Sequence, residues 1–349
     1  MSSTPLVIRA DAGPAIGVGH VMRCLALAQQ CLDQGSRVFL VGRVDSSILQ
    51  ERLLSDGVEI IPMDADQGTA DDLAFTLAAI KETGADWLVL DGYEFGAEYQ
   101  RAVRRAGTRL LMLDDYGHQP EYETDILLNQ NLGAENMAYR LNADSLRLDG
   151  PRYALLRREF VSAARGCPSR RTPDKARRVL VILGGSDPRN LSLAVLQALA
   201  DTGRDDWSVT VAVGPANLHR AELEAEARQL AFEVRVLALG RETPDIMAAS
   251  DMAVTAAGST CWELVLLGVP SLVMACADNQ AGIASALAQA GAARSLGRVK
   301  QVDRQILSQE ITTLADDSIA RQVISRTAQF LVDGGGAERV YRAMFGEAA

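Results

Sequence analysis

One histidine at the start of a predicted helix is well placed for proton transfer. It is His20, and it follows a glycine-rich loop that contains Gly17 and Gly19. Glycine allows a backbone to approach a ligand closely and to adopt a positive φ. The partial positive charge at a helix N-terminus favours the neutral imidazole, which can accept a proton at pH 7. The sequence therefore predicts a general base at His20, with a capping or packing histidine as the alternative.

The same loop does not match the standard phosphate-binding motifs. The third glycine of a dinucleotide fingerprint would fall at Met22, and the Lys-Ser/Thr pair of a P-loop is absent. Asp11 opens the loop and Arg23 lies one turn into the helix. We expect Asp11 to orient the imidazole of His20, and we expect Gly17, Gly19 and Arg23 to bind the substrate.

A second cluster of small and hydroxyl residues follows a predicted strand in the other half of the chain. Gly258, Ser259 and Thr260 stand where the next helix begins, and Glu263 lies one turn into it. Free backbone N–H groups and the helix dipole bind anions at such a point. We expect a diphosphate there, with Glu263 accepting hydrogen bonds from a ribose. The alternative is an ordinary capping box, with Glu263 as the reciprocal partner.

Two more polar turns follow strands in this half. Gly185 and Ser186 come after one strand, and Asn279 and Gln280 come after another. An Asp- or Asn-capped turn and a solvated helix start are the respective alternatives. Because all three turns follow strands of one half, they meet at one edge of a parallel sheet. Together they predict a site for a nucleoside diphosphate.

The first half places carboxylates after two further predicted strands. Asp91 and Tyr93 follow one strand, and Asp114 and Asp115 follow the next. These carboxylates could orient His20 or bind sugar hydroxyls, and two of them with water could hold a divalent metal. No metal-ligand spacing is present, so we expect neither a metal nor another cofactor. His118 and His219 are interpreted as surface histidines.

Strand-like and helix-like segments alternate along the whole chain and predict the architecture. Short runs that are apolar on both faces, such as 87–90 and 110–113, suit a parallel sheet covered by helices. A Pro- and charge-rich stretch at 166–176 indicates a linker. We predict an α/β protein of two Rossmann-like, doubly wound parallel-sheet domains, which face each other across a cleft. The predicted boundaries are 1–165, 177–335, and a C-terminal helix at 336–349 that packs on the first domain.

Composition excludes several classes of function. The net charge is −10, which argues against sequence-independent nucleic-acid binding. Five cysteines without a Cys-x-x-Cys motif indicate neither a disulfide framework nor a zinc cluster. No 18-residue apolar run and no signal-peptide pattern is found, so we expect a cytoplasmic protein with no membrane partner.

Several blocks of the sequence, taken together, are similar to one enzyme family. The segment 8–25, with Ile16-Gly-Val-Gly-His20, resembles the opening signature of the PseG family, the UDP-2,4-diacetamido-2,4,6-trideoxy-β-L-altropyranose hydrolases of pseudaminic acid biosynthesis. Further similar blocks occur, in the same order, at 113–115, 125–131, 150–160, 183–187, 258–263, 268–270 and 277–280. One departure is alanine at position 257, where the family commonly has glycine.

The resemblance implies a fold, a reaction and roles for four residues. The fold would be the GT-B arrangement, related to MurG. The reaction would be metal-independent hydrolysis of the UDP-sugar, with water as co-substrate, by C–O cleavage with inversion at the anomeric carbon. His20 would be the essential histidine, Tyr93 the cleft tyrosine, Asn279 the late asparagine and Glu263 the ribose-binding glutamate. A glycosyltransferase with the same cleft and a non-catalytic nucleotide-sugar binder are the alternatives.

Overall fold

A computed structural model of the chain describes residues 4–13, 16–166, 170–214 and 217–346. They form two compact units. The first unit comprises Met1–Arg158 and Gly334–Ala349, and the second comprises Glu159–Asp333. The C-terminal segment therefore belongs to the unit in which the chain begins.

Strands and helices alternate through most of the chain. Up to the end of the first sheet the elements are β1 (Leu6–Ala10), α1 (Gly19–Asp33), β2 (Val38–Gly42), α2 (Ser47–Asp56), β3 (Glu59–Pro62), α3 (Ala70–Thr83), β4 (Trp87–Asp91), α4 (Ala97–Arg105), β5 (Arg109–Leu113), β6 (Ile126–Asn129) and β7 (Leu146–Asp149). They are followed by α5 (Arg158–Gly166), β8 (Arg178–Ile182), α6 (Leu191–Asp201), β9 (Ser208–Val213), α7 (Arg220–Ala227), β10 (Glu233–Ala238), α8 (Thr243–Ala249), β11 (Met252–Ala256), α9 (Thr260–Leu266), β12 (Ser271–Ala275), α10 (Ala281–Gln289), β13 (Arg294–Arg298), α11 (Arg304–Asp316), α12 (Ser318–Leu331) and α13 (Gly336–Phe345).

Each unit contains one parallel sheet. The strand order is β3-β2-β1-β4-β5-β6-β7 in the first unit and β10-β9-β8-β11-β12-β13 in the second. Central strands such as β4 and β12 are buried along their whole length, as expected for strands covered by helices on both faces. The prediction of two doubly wound α/β domains is confirmed.

A buried arginine interrupts the apolar sequence of β1 and ties it to α3. Arg9 is fully buried, and its Nε and Nη2 atoms each donate to the Asp72 carboxylate at 3.0 Å. Its Nη1 atom donates to Asp11 at 2.5 Å. Asp72 also accepts a hydrogen bond from the Tyr99 hydroxyl at 2.9 Å. This network fixes the start of the loop that leads to α1.

The C-terminal helix α13 packs into the core of the first unit. Val340 and Met344 are buried there together with residues of α1. At Gly336 a Cβ atom would lie 2.1 Å from the carbonyl oxygen of Ala154, so only glycine allows this close approach. No helix in the described ranges is both long enough and apolar enough to cross a membrane.

The Arg9–Asp72 pair should contribute strongly to the stability of the first unit. We expect Asp72→Ala to lower its free energy of unfolding by about 3–5 kcal/mol, because the change leaves a buried guanidinium without its main partner. Hydrogen–deuterium exchange in urea, followed on peptides from β1, reports on this unit alone.

The matched control is Glu59→Ala, which removes the exposed partner of Arg37 in the same sheet; those side chains are 50% and 65% exposed. We expect this change to cost less than about 1 kcal/mol. Equal losses in the two variants would show that burial of the Arg9 pair has no energetic consequence.

Candidate active site

The carboxyl ends of four neighbouring strands bring the first group of candidate residues together. The loop after β1 leads to His20 at the start of α1, and Asp91 is the last residue of β4. Asp114 and Asp115 directly follow β5, and Asn129 ends β6. Because β1, β4, β5 and β6 are adjacent and parallel, these side chains share one edge of the sheet.

An aspartate at the end of β4 orients the imidazole of His20. The Nδ1 atom of His20 lies 2.6 Å from Oδ1 of Asp91. A carboxylate can only accept, so the Nδ1 proton is directed to Asp91 and Nε2 is left to take a proton. The side chain of His20 is 11% exposed, and Nε2 makes no hydrogen bond with the described residues. The arrangement fits a general base held by a carboxylate.

The expectation that Asp11 orients His20 is wrong. The carboxylate of Asp11 instead accepts hydrogen bonds from Arg9 and from the backbone N–H of Arg43, at 2.5 and 2.7 Å. The buried guanidinium of Arg9 needs this charge, which draws Asp11 toward the sheet. Asp91, which the sequence also offered as an alternative, takes the role.

Arg23 lies one turn after His20, with its guanidinium turned into the protein. It is 7% exposed, and its Nε and Nη2 atoms donate to the two oxygens of Asp91 at 2.6 Å each. Its Nη1 atom donates to Asp115 at 2.7 Å. These contacts use three of the five N–H donors of the guanidinium, so substrate binding by Arg23 stays a prediction. Arg23 links the two carboxylates.

The charge of Arg23 keeps both carboxylates ionised. Burial alone would raise the pKa of Asp91, but the charge and hydrogen bonds of Arg23, with the hydrogen bond from His20, hold it far below its ordinary value. Burial likewise opposes ionisation of Asp115, and Arg23 lowers its pKa. Burial would also lower the pKa of Arg23, yet the two aspartates raise it well above the usual value. The three groups therefore form one buried charged cluster.

Tyr93 connects His20 to the next strand. Its hydroxyl donates to Oδ2 of Asp115 at 2.9 Å, and its ring meets the His20 ring edge-on, with centroids 5.1 Å apart. Asn131 donates to Oδ1 of Asp115 at 3.1 Å, and Gln119 donates to the Tyr93 carbonyl at 2.7 Å. The sequence analysis did not single out these two amides, because nothing in their spacing connects them to His20.

His118 is not a surface histidine, contrary to expectation. Its side chain is 3% exposed, and its Nδ1 atom lies 2.5 Å from Oδ1 of Asp114. Asp114 and His118 are four residues apart in the turn after β5, and this spacing was the available sequence signal. His219 fits the expectation better, because its side chain is 30% exposed.

The glycine-rich loop has the geometry that its sequence requires. Gly17 has a φ of 82°, and its N–H donates to the carbonyl of Gly13 at 2.7 Å. A Cβ atom at Gly17 would meet nothing within 4 Å, so the backbone conformation and not space favours glycine there. Gly19 is the first residue of α1. Pro14 and Ala15 lie outside the described residues.

In the second unit, the turn after β8 is tightly packed. A Cβ atom at Gly214 would lie 2.3 Å from the Cα atom of Gly185, so the two glycine backbones touch. Asp187 caps α6 by accepting from the backbone N–H groups of Leu191 and Ser192 at 2.8 and 2.9 Å. Asp187 therefore acts as the cap of this turn, as the alternative interpretation of the sequence expected. Ser186, next to it, is partly exposed.

The turn after β11 lies beside the turn after β12. Ser259 is the N-cap of α9. Its side chain makes no capping hydrogen bond, although an ordinary capping box would require one. A Cβ atom at Gly258 would lie 3.9 Å from Nε2 of Gln280, whose Oε1 accepts from the N–H of Cys276 at 2.9 Å. Ala257, which precedes Gly258, is fully buried and does not adopt a positive φ.

The remaining predicted residues of the second unit lie near these turns. Thr260 is the first residue of α9, and Glu263 lies within its first turn; both are partly exposed. Asn279 occupies a 3-10 turn between β12 and α10. Among the described residues, no group of three or more His, Cys, Asp or Glu side chains could hold a metal ion.

Comparison with known proteins relates the second unit to a glycosyltransferase domain. Residues 179–331 match the sequence model of the glycosyltransferase family 28 C-terminal domain. An uncharacterized protein of Methanocaldococcus jannaschii is 24% identical over 77% of this chain. The alignment covers 55% of that protein, so the chain spans about half of its length.

Two bacterial relatives align over most of their length. The spore coat polysaccharide biosynthesis protein SpsG of Bacillus subtilis is 25% identical over 95% of both chains. The UDP-2,4-diacetamido-2,4,6-trideoxy-β-L-altropyranose hydrolase of Campylobacter jejuni is 25% identical over 82% of this chain and 97% of that protein.

Solved structures identify the fold. The crystal structure of Acinetobacter baumannii MurG matches with a TM-score of 0.65 at 16% identity, covering 96% of this chain and 98% of that one. This chain has the GT-B fold. The candidate residues around His20 in the first unit, and those around Gly258 in the second, follow the carboxyl ends of parallel strands. Open α/β sheets bind their ligands at these ends.

The buried charges beside His20 should make stability depend on pH. The pKa of Asp91 is lower in the folded state than in the unfolded state, where it is about 3.9. Its stabilising contribution is therefore complete above about pH 5 and is lost as the pH falls. Below about pH 4, we expect the free energy of unfolding of the wild type to fall more steeply than that of Asp91→Asn, by about 1.4 kcal/mol per pH unit.

Urea unfolding between pH 6 and pH 3.5 measures this difference in slope. Asp66→Asn is the control, because the Asp66 side chain is 86% exposed, and it should keep the wild-type slope. Parallel slopes for Asp91→Asn and the wild type would contradict the assignment of a strongly ionised Asp91.

Proposed function

We propose that this protein hydrolyses a UDP-sugar of the 2,4-diacetamido-2,4,6-trideoxyhexose class to UDP and the free sugar. The preferred substrate is UDP-2,4-diacetamido-2,4,6-trideoxy-β-L-altropyranose, which would place the enzyme in pseudaminic acid biosynthesis. The observation that carries the proposal is the His20–Asp91 pair, with Nδ1 and Oδ1 2.6 Å apart. The proposal is supported by the Campylobacter jejuni hydrolase of this UDP-sugar, which aligns with this chain over 97% of its own length.

The His20–Asp91 pair can activate a water molecule. Asp91 holds the Nδ1 proton, so Nε2 can remove a proton from water as the water attacks the anomeric carbon. Asp91 then stabilises the imidazolium that forms, without taking the proton itself, because Arg23 keeps it ionised. Attack from the face opposite the leaving UDP inverts the anomeric centre. The C–O bond breaks, and its electron pair leaves with UDP.

The second unit would hold the nucleotide. Its match to a glycosyltransferase family 28 C-terminal domain supports this assignment. Gly258, Ser259 and Thr260 would bind the diphosphate through backbone N–H groups and hydroxyls at the start of α9, and Glu263 would accept from the ribose hydroxyls. Donors at this point stabilise the charge that develops on UDP, a contribution worth several kcal/mol in comparable sites.

The other predicted residues would complete the two parts of the site. Gly185, Ser186, Asn279 and Gln280 would line the nucleotide side, while Gly17 and Gly19 would allow the sugar to approach His20. Tyr93 would contact the sugar, since its ring lies against the imidazole. We propose no step that uses a metal or another cofactor.

A glycosyltransferase is the second candidate, because the matching domain family and MurG belong to that class. His20 could remove a proton from an acceptor alcohol in the same way as from water. A non-catalytic nucleotide-sugar binder is a third reading, but binding alone gives no reason for a histidine held with a free Nε2.

The deciding experiment is an incubation without an acceptor. Purified protein mixed with the UDP-2,4-diacetamido sugar in ¹⁸O-labelled water should release UDP and free sugar at equal rates. We expect the label in the sugar, because the proposed attack is at carbon. Label in UDP would indicate P–O cleavage, and the absence of products until an alcohol is added would establish a transferase.

The role of His20 is tested by substitution. We expect His20→Ala to lower kcat by about 10²–10⁴-fold, the usual contribution of a general base, and to leave the Kd for UDP within about twofold. His219→Ala is the control and should retain full turnover, because His219 is partly exposed and is not among the residues proposed to bind the sugar or the nucleotide. Near wild-type turnover in His20→Ala would rule out this base.

A further inference from the structure

His118 has one ring nitrogen that the protein buries without a partner. Its side chain is 3% exposed, and Nδ1 is taken by Asp114 at 2.5 Å. Its Nε2 atom is buried and has no hydrogen-bond partner among the described residues. Buried polar atoms of this kind are uncommon in native proteins and each needs a physical reason.

The surroundings of Asp114 fix the orientation of the His118 ring. The hydroxyls of Tyr122 and Tyr139 donate to Asp114 at 2.7 and 2.6 Å, and the N–H of Gly117 donates at 2.7 Å. Burial would raise the pKa of Asp114, but the hydrogen bonds from His118, both tyrosines and Gly117 hold it well below the usual range. Asp114 is therefore a carboxylate and accepts the Nδ1 proton, so Nε2 is the ring nitrogen left for a ligand.

The unpaired nitrogen lies close to the candidate active site. The Tyr93 ring meets the His20 ring edge-on with centroids 5.1 Å apart, and it meets the His118 ring edge-on at 5.2 Å. His20 and His118 are therefore both in contact with one tyrosine. Each is also held by an aspartate that ends or follows a neighbouring strand, Asp91 for His20 and Asp114 for His118.

The tyrosine rings around His118 differ in how their hydroxyls are held. The hydroxyl of Tyr122 is bonded to Asp114 and that of Tyr93 to Asp115. The ring of Tyr116 lies 5.8 Å from that of His118, is 45% exposed, and makes no hydrogen bond through its hydroxyl to any described residue. Displacement of Tyr116 would therefore break no hydrogen bond with the described residues.

We propose that Nε2 of His118 accepts a hydrogen bond from a donor on the bound sugar, either an acetamido N–H or a hydroxyl, when Tyr116 moves aside. His118 is then a specificity-determining residue, because a sugar without that donor leaves the buried nitrogen unpaired. The inference rests on the proposed function in requiring a UDP-sugar ligand, although it does not require hydrolysis.

The two amide substitutions of His118 separate this role from a structural one. In His118→Asn, the side-chain N–H can still donate to Asp114, but the group at the Nε2 position is gone. In His118→Gln, the longer side chain returns an acceptor to that position. A structural role through Asp114 predicts that Asn is tolerated, and a sugar contact predicts that Gln is the better replacement.

Binding is measured calorimetrically in the His20→Ala background, so that the ligand survives. The probes are the UDP-2,4-diacetamido sugar and UDP alone. We expect His118→Asn to weaken binding of the UDP-sugar by about 10-fold, the value of one buried hydrogen bond, with the Kd for UDP unchanged. His118→Gln should stay within about threefold of the parent for both ligands.

Two outcomes would overturn the proposal. One is an unchanged Kd for the UDP-sugar in His118→Asn, and the other is an equal loss for UDP. If the Asn variant behaves as expected but the labelled-water assay shows no hydrolysis, the sugar contact stands and the proposed reaction fails.

Nitrogen NMR of the His20→Ala protein, in which the UDP-sugar survives, provides a readout with His118 itself in place. The chain has three histidines, so a ¹⁵N-histidine-labelled sample has few ring signals to assign. We expect the Nε2 resonance of His118 to move upfield on addition of the UDP-sugar, as an unpaired acceptor gains a donor, and to stay in place with UDP. A resonance unmoved by the UDP-sugar would contradict the contact.

Discussion

The ion pair between Arg23 and Asp91 is the interaction on which the candidate site depends. Asp91 is fully buried, and a carboxylate is costly to place there unless a cation compensates it. Arg23 supplies that charge with two hydrogen bonds of 2.6 Å. Because the pair keeps Asp91 ionised, His20 has a fixed acceptor for its Nδ1 proton. The same guanidinium reaches Asp115, which holds the hydroxyl of Tyr93.

Much of the fold could be predicted because the strands and helices carry strong local patterns. Apolar runs such as β4 and β12 fill the centres of the sheets, and their burial follows from hydrophobicity alone. The strands that the periodicity did not reveal are β6, β7 and β13. β7 and β13 contain polar residues at a sheet edge, and β6 has only three apolar residues before Asn129, inside a long irregular segment. Local pattern is weak in such segments, so strand pairing decides their structure.

The sequence was enough to predict which residues belong to the candidate site, but not which of their side chains contact one another. His20, Tyr93 and Asp115 were all identifiable at strand ends, because parallel topology brings those ends together. Which carboxylate meets His20 depended on Arg9, a buried arginine inside β1 that draws Asp11 away. His118 was misread for a similar reason: its burial comes from tyrosines that lie at distances the sequence does not encode.

The position of α13 has a consequence for the order in which the chain can fold during synthesis. The core of the first unit includes Val340 and Met344, and the ring of Phe345 lies 6.3 Å from that of Trp87. Domains generally fold as they leave the ribosome, from the N-terminus onward. Here the unit that begins the chain lacks part of its core until the entire second unit has been translated. Until then, the α1 surface that α13 covers is a hydrophobic face on the nascent protein.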